Sequence, residues 1–312
     1  MSKVACIPFS SREEAEVFLG PLPAEVEYVF WPSPDAPFPD ASLGRITFFA
    51  PLNKAGTAGA WVPRVPSMPR LEVLQLGSAG FEHALPVRRP GLAICNAAGV
   101  HDAATAETAV LLTLALLRDL PGFQASQNAH QWNWHRTPGL AGKSVLIFGY
   151  GRIGAAIEAR LAGFEPARVV RVARRPRTDP VVHPASELAE LLPQADVVIL
   201  QCPSTPETDG LFDAGMLALL KDGAVLVNTA RGSVVDTGAL LAELASGRVS
   251  AGLDVVDPEP LPPEHPLWDA PNAIVLPHVG STTDIEFVHY HRLLRDQVRR
   301  YADGEALANV VA

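Results

Sequence analysis

The apolar run Val145-Leu146-Ile147-Phe148 feeds directly into Gly149-Tyr150-Gly151-Arg152-Ile153-Gly154 and then into Ala155-Ala156-Ile157-Glu158-Ala159-Arg160-Leu161. Strand, tight turn and helix in that order leave few folds open. Gly149 permits the turn, Gly151 lets a pyrophosphate approach the backbone, and Gly154 allows close helix–strand packing, with phosphates at the positive end of the helix. An isolated G-x-G-x-x-G also occurs in plain strand-to-helix turns. Here Arg168-Val169-Val170-Arg171-Val172-Ala173 follows as a second strand, so a complete βαβ unit surrounds the glycines. The segment is read as a dinucleotide site, with Gly149, Gly151, Arg152, Ile153 and Gly154 as cofactor-binding residues.

The end of the second strand bears on which dinucleotide. NAD-preferring sites usually place Asp or Glu about 20 residues beyond the glycines to bind the ribose 2′-hydroxyl, whereas Arg accommodates a 2′-phosphate. This chain has Arg174-Arg175-Pro176-Arg177 there, and no carboxylate between Glu165 and Asp179. A guanidinium grips a phosphate through paired donors, so Arg174 and Arg175 favour NADP as cofactor. NAD stays open as the alternative, with the arginines forming a solvated basic turn beside its ribose.

At 312 residues with 48% hydrophobic content, the chain is too long for one ordinary core and long enough for two α/β domains. Strands are expected near residues 3–8, 27–31, 46–50, 72–76 and 92–95, and again near 144–149, 167–173, 196–201, 224–228, 250–255 and 273–276. Helical segments alternate with them, the pattern of parallel sheets covered on both faces. Ser11-Arg12-Glu13-Glu14 has capping-box spacing at the start of a helix reaching about Leu19. The longest apolar helix, about Ala103 to Leu120, is expected to stop at Pro121-Gly122. It contains Glu107 and Arg118 and falls short of the roughly 20 apolar residues that cross a bilayer. The amino-terminal apolar run is short and reads as a strand rather than a signal peptide.

Cys6, Cys95 and Cys202 are odd in number and widely spaced, which indicates neither a disulfide framework nor a metal site. A reducing cytoplasm is the expected location. The net charge of -9, with no basic stripe, argues against a nucleic-acid surface. Trp132-Asn133-Trp134 is expected to serve packing, with a pocket wall or a subunit seam as alternatives.

The chemistry falls on the last three strands. Val227-Asn228-Thr229-Ala230-Arg231-Gly232 sets a guanidinium past one strand tip, Gly252-Leu253-Asp254 a carboxylate past the next, and Pro277-His278-Val279-Gly280-Ser281 an imidazole past the last. Asp257-Pro258-Glu259-Pro260 forms a stiff turn after the second. Ligands of open α/β sheets bind outside the carboxyl ends of the strands, so these groups share a rim. For a 2-hydroxy or 2-oxo acid, His278 would carry the proton, because imidazole titrates nearest neutrality. Glu259 would orient the ring and favour its charged form, and Arg231 would grip the substrate's paired oxygens. Asp254 is assigned to the nicotinamide side.

These segments, with Gly149-Tyr150-Gly151-Arg152-Ile153-Gly154, occur in the order seen in the D-isomer-specific 2-hydroxyacid dehydrogenases, which the chain resembles over essentially its whole length. The resemblance implies catalytic Arg231, Glu259 and His278, and the five-residue step from Asp254 to Glu259 selects Glu259 over Asp257. It implies a Rossmann-type doubly wound domain over residues 99–283. A discontinuous flavodoxin-like substrate domain would take residues 1–98 and 284–312, with a cleft between the two and dimerisation through the cofactor domain. Leu76-Gly77-Ser78-Ala79-Gly80 resembles the loop whose amides hold the substrate carboxylate, which singles out Ala79 and Gly80. Cys202-Pro203-Ser204-Thr205-Pro206-Glu207-Thr208 resembles the adenosine-flanking loop, adding Cys202, Pro203 and Thr208 to the cofactor set with Thr229, Ala230 and Gly280. Thr105, in the stretch that resembles the start of the interdomain helix, is expected near the nicotinamide.

Phe81-Glu82-His83-Ala84-Leu85 departs from the family's usual aromatic-Asp-Asn-Ile-Asp continuation, which loosens any inference on substrate size. The expected activity is reduction of a small 2-oxo acid of glyoxylate or hydroxypyruvate type. Its rivals are a non-enzymatic, dinucleotide-sensing corepressor-like protein and a phosphite dehydrogenase-like activity. Formate oxidation is disfavoured, since the family places Gln there in place of Glu259.

Overall fold

Neighbouring residues along each central strand supply opposite hydrophobic layers. Val145 and Ile147 join one core with Val197, Ile199, Val225 and Val227. Leu146 and Phe148 join another with Val198, Leu200, Ala224 and Leu226. Both faces of a parallel sheet are covered by helices, so its strands are apolar at every position rather than at every second one. The smaller sheet is built likewise, with Ala5, Ile7 and Phe48 on one side and Cys6 and Phe49 on the other.

The computed structural model describes residues 2–52 and 58–312. The strands are β1 (Lys3–Ile7), β2 (Val26–Phe30), β3 (Phe48–Phe49), β4 (Val73–Gln75), β5 (Ala93–Cys95), β6 (Ser144–Phe148), β7 (Arg168–Ala173), β8 (Arg177–Thr178), β9 (Val181–Pro184), β10 (Val197–Leu200), β11 (Ala224–Asn228), β12 (Val249–Leu253) and β13 (Ala273–Val275). The α-helices are α1 (Arg12–Leu19), α2 (Ala58–Trp61), α3 (Asp102–Leu117), α4 (Leu120–Asn128), α5 (Arg152–Leu161), α6 (Leu188–Leu191), α7 (Ala214–Ala218), α8 (Thr237–Ala245) and α9 (Asp284–Asp303).

One unit comprises Met1–His101 with Thr283–Ala312, and the other Asp102–Thr282. The first holds a parallel sheet of order β2-β1-β3-β4-β5. Its last helix packs Tyr290, Leu294, Val298 and Tyr301 into the core that contains Ala5 and Ile7. The second holds an eight-stranded sheet of order β13-β12-β11-β10-β6-β7-β9-β8. The order reverses beside β6, the switch point at which doubly wound sheets bind nucleotides. The short β8–β9 hairpin at its edge is antiparallel and has no counterpart among the sequence expectations.

Two local expectations change. Ser11 caps α1 by accepting from the Glu14 amide at 3.2 Å, but the Glu14 carboxylate reaches back to the Ser10 amide at 2.6 Å, so the box closes one residue early. Pro121-Gly122 does not end the apolar helix. α3 stops at Leu117, Asp119 turns left-handed at φ 49° and caps α4 by accepting from Gly122 N, and Pro121 sits in the first turn of α4. Proline lacks only an N–H that a first turn leaves unpaired anyway, so it starts a helix as readily as it stops one. No helix among the described residues is long and apolar enough to cross a membrane.

Candidate active site

The β6–α5 turn meets the steric demands of a dinucleotide cradle. Gly149 has φ +99°, and a Cβ there would lie 2.4 Å from the Cys202 amide nitrogen and the Gln201 carbonyl group. At Gly154 a Cβ would come within 3.0 Å of the Gly149 carbonyl oxygen and 3.3 Å of Ile147. A Cβ on Gly151 would meet nothing within 4 Å, which leaves the approach to the amino end of α5 clear. No side chain caps that end, so its first amides face the same opening. These residues fit a pyrophosphate. Ile153 packs its side chain against the core, leaving its backbone to the cradle. Arg152 carries its guanidinium to Asp102, at 2.9 Å.

Past β7, Arg174 and Arg175 are exposed. The Glu207 carboxyl is held below its usual range chiefly by a hydrogen bond from Thr205, with Arg174 adding a smaller effect. Thr208 Oγ1 shapes the 202–208 loop, accepting from the Thr205 amide at 2.8 Å and donating to the Pro203 carbonyl at 2.7 Å. Cys202 is buried, and burial pushes its thiol up to about 12, so it remains protonated and unreactive at neutral pH.

At the tip of β11, Asn228 organises the turn that presents Arg231. Its amide nitrogen donates to the Arg231 carbonyl at 2.9 Å and its oxygen accepts from the Ala230 amide at 3.0 Å. Thr229 donates to Gln201 Oε1 at 2.7 Å, tying this tip to β10. Arg231 Nη1 donates to the Ala230 carbonyl at 2.6 Å. The next residue has to be glycine, because a Cβ on Gly232 would lie 1.9 Å from the Val256 carbonyl oxygen beyond β12.

His278 and Glu259 meet directly, His278 Nδ1 lying 2.6 Å from Glu259 Oε1. Both are partly exposed. The backbone of His278 is left-handed, at φ +54°, a conformation that costs a non-glycine residue energy and persists only where surroundings enforce it. Asp254 supplies that enforcement. Its carbonyl accepts from His278 N at 2.9 Å, while its carboxylate accepts from Val279 N at 2.9 Å and Gly280 N at 3.0 Å. Burial raises the Asp254 carboxyl above its usual range, outweighing the opposing pull of those two amides. Thr108 Oγ1 donates to the Gly280 carbonyl at 3.1 Å, completing the clasp from α3.

Asn228, Gln201 and Thr108 support the site without standing out in the sequence. The asparagine preceding Thr229 carries a signal, since Asn side chains bond their own backbone in turns. Thr105, the residue expected to serve the site from α3, is buried one turn earlier. In the other unit, the Ser78–Gly80 turn is fixed through its carbonyls. Ser78 O accepts from Ala97 N at 2.8 Å, Ala79 O from Asn96 Nδ2 at 2.7 Å, and Gly80 O from Ser78 Oγ at 2.7 Å. No cluster of His, Cys, Asp and Glu suited to a metal occurs among the described residues.

A doubly wound sheet with an open glycine turn at its switch point defines a dinucleotide-binding α/β protein. The profile of the D-isomer specific 2-hydroxyacid dehydrogenase NAD binding domain matches residues 110–280. The mouse glyoxylate reductase/hydroxypyruvate reductase is 37% identical over 224 residues, 68% of this chain and 68% of that protein. Rice formate dehydrogenase 2, mitochondrial (Oryza sativa subsp. japonica), is 35% identical over 256 residues, covering 78% and 67%. Among solved structures, the NADPH-dependent glyoxylate/hydroxypyruvate reductase of Sinorhizobium meliloti, in complex with NADP and malonate, superposes with a TM-score of 0.79 at 28% identity, covering 100% of this chain and 97% of that one. The chain belongs to the D-isomer-specific 2-hydroxyacid dehydrogenase family, whose members are NAD(P)-dependent oxidoreductases.

Proposed function

We propose that the protein reduces a small 2-oxo acid of glyoxylate or hydroxypyruvate type to the D-2-hydroxy acid, with NADPH as the favoured reductant and NADH as the alternative. The observation that carries this reading is the 2.6 Å contact between His278 Nδ1 and Glu259 Oε1 on the strand-tip rim. With Nδ1 committed to the carboxylate, Nε2 is the nitrogen left for the substrate oxygen. The bound reduced dinucleotide supplies a hydride to C2. His278 delivers the Nε2 proton to the carbonyl oxygen as charge builds there, and Glu259 stabilises the imidazolium before transfer. Arg231 holds the carboxylate and polarises the oxo group, and the amides of Ala79 and Gly80 are assigned to the same carboxylate.

Asp254, through its grip on Val279 and Gly280, sets the ring of His278, and it is assigned to the nicotinamide side together with Thr105 and Gly280. Gly149, Gly151, Arg152, Ile153 and Gly154 take the pyrophosphate. Thr229 and Ala230, with Cys202, Pro203 and Thr208, flank the rest of the dinucleotide, and Arg174 and Arg175 take the 2′-phosphate. Residues 99–283 act as the cofactor domain, and residues 1–98 with 284–312 as the substrate domain. A homodimer formed through the cofactor domain and a cytoplasmic location complete the proposal. The presence of Glu259, where formate-oxidising relatives carry Gln, supports oxo-acid reduction over formate oxidation.

Initial rates with glyoxylate, hydroxypyruvate, phenylpyruvate, formate and phosphite, each with both cofactors, test this reading. Reduction of at least one 2-oxo acid with a lower Michaelis constant for NADPH than for NADH is expected. Tight dinucleotide binding without turnover of any oxo acid would favour a sensor instead, and turnover of phosphite or formate alone would reassign the substrate.

A further inference from the structure

Tyr150, the residue between the first two glycines, is held from several directions. Its hydroxyl donates to Glu158 Oε2, and Glu158 also accepts from Arg171 Nε at 2.7 Å and from Arg171 Nη2. The guanidinium carbons of Arg171 and Arg177 lie over the same ring, 5.5 Å and 5.3 Å from its centre. Arg177 Nη2 in addition donates to the Tyr150 carbonyl oxygen. That carbonyl and the Gly151 amide belong to one planar peptide group, so anchoring the oxygen fixes the plane. The Gly151 amide donates to the Gly149 carbonyl at 2.7 Å, and α5 begins at the next residue.

Arg177 sits in β8, three residues beyond Arg174, where Arg177 pairs with Val182 in the β8–β9 hairpin. All three arginines share the basic segment, yet only Arg177 is tied to the glycine turn by a hydrogen bond and a ring contact at once. We infer that Arg177 is a positioning residue for the pyrophosphate turn, serving NAD and NADP alike, and not a ligand of the 2′-phosphate. The division of labour rests on the proposed reading of Arg174 as a 2′-phosphate ligand. The bracing of the turn does not.

Dissociation constants for NADPH and NADH, measured by nucleotide fluorescence on wild type, Arg174→Ala, Arg177→Ala and Arg177→Lys, separate the two roles. Hydrogen exchange across residues 149–154 of the unliganded protein gives a second readout. Arg177→Ala should weaken both dinucleotides by a similar factor, about tenfold, the scale of one charge-assisted hydrogen bond, and should speed exchange in the turn. Arg177→Lys, which keeps the charge but loses the planar fork, should fall between wild type and the alanine variant. Arg174→Ala should weaken NADPH alone and leave exchange unchanged.

Selective loss of NADPH in Arg177→Ala, or no loss of either dinucleotide, would overturn the inference. If that variant does not fold, Arg177→Lys decides in the same way, equal losses supporting and selective loss contradicting. An Arg174→Ala variant that binds NADPH as wild type does would remove the proposed role of Arg174, and the bracing role of Arg177 would still stand or fall on the equality of its two losses.

Discussion

Asp254 carries two burdens with one carboxylate. It is 3% exposed, and its oxygens accept the Val279 and Gly280 amides that hold His278 in a left-handed conformation. Burial raises its carboxyl above the usual range, so the folded protein binds this proton more tightly than the unfolded chain does. The stability contributed by the group is therefore fully present below the ordinary aspartate range and is lost as pH rises through the raised folded value. Asp254→Asn removes the titration and keeps an oxygen for the two amides. Chemical denaturation across that pH window should show wild type losing stability relative to the variant as pH increases, and a difference moving the opposite way would contradict the raised carboxyl. At this scale the sequence exposes identities better than duties. Asp254 is legible as a carboxylate past a strand tip. Its clasp on residues 279 and 280 is not, because it depends on how the chain returns from β13.

Among elements, the glycine turn and the parallel strands are legible because their demands are local: a steric opening at Gly151, and apolar residues at every position of a doubly covered strand. The α3–α4 junction is not, because Pro and Gly mark helix starts as well as stops, and Asp119 decides between them by capping Gly122. The expectation for Trp132 and Trp134 also changes. They are 96% and 74% exposed, so they do not pack within the chain, and Leu111 on α3 and Leu120 on α4 are exposed as well. Aromatic side chains are enriched where subunits meet. This supports the proposed subunit seam. Sedimentation at micromolar concentration should give a dimer, and Trp134→Glu combined with Leu111→Glu should shift it toward monomer. A wild-type protein that sediments as a monomer would contradict the seam.

For the whole molecule, the chain passes between its two units at His101–Asp102 and at Thr282–Thr283. The family's order of motifs carries that organisation, because a discontinuous domain leaves no composition change at its second boundary. What the sequence leaves unread lies in long-range hydrogen bonds: Thr229 reaching Gln201, Thr108 reaching Gly280 and Arg177 reaching Tyr150. These bonds brace the glycine turn and the loop that carries His278, and under the proposed roles dinucleotide binding and proton transfer fall to different residues. Transient kinetics of His278→Ala tests that separation most directly, with NADPH binding and a single turnover of the best 2-oxo acid measured on the same preparation. The variant should bind NADPH within about twofold of wild type and lose on the order of a thousandfold in the single-turnover rate, as removal of a general acid does. A single-turnover rate close to that of wild type would contradict the assignment of proton transfer to His278.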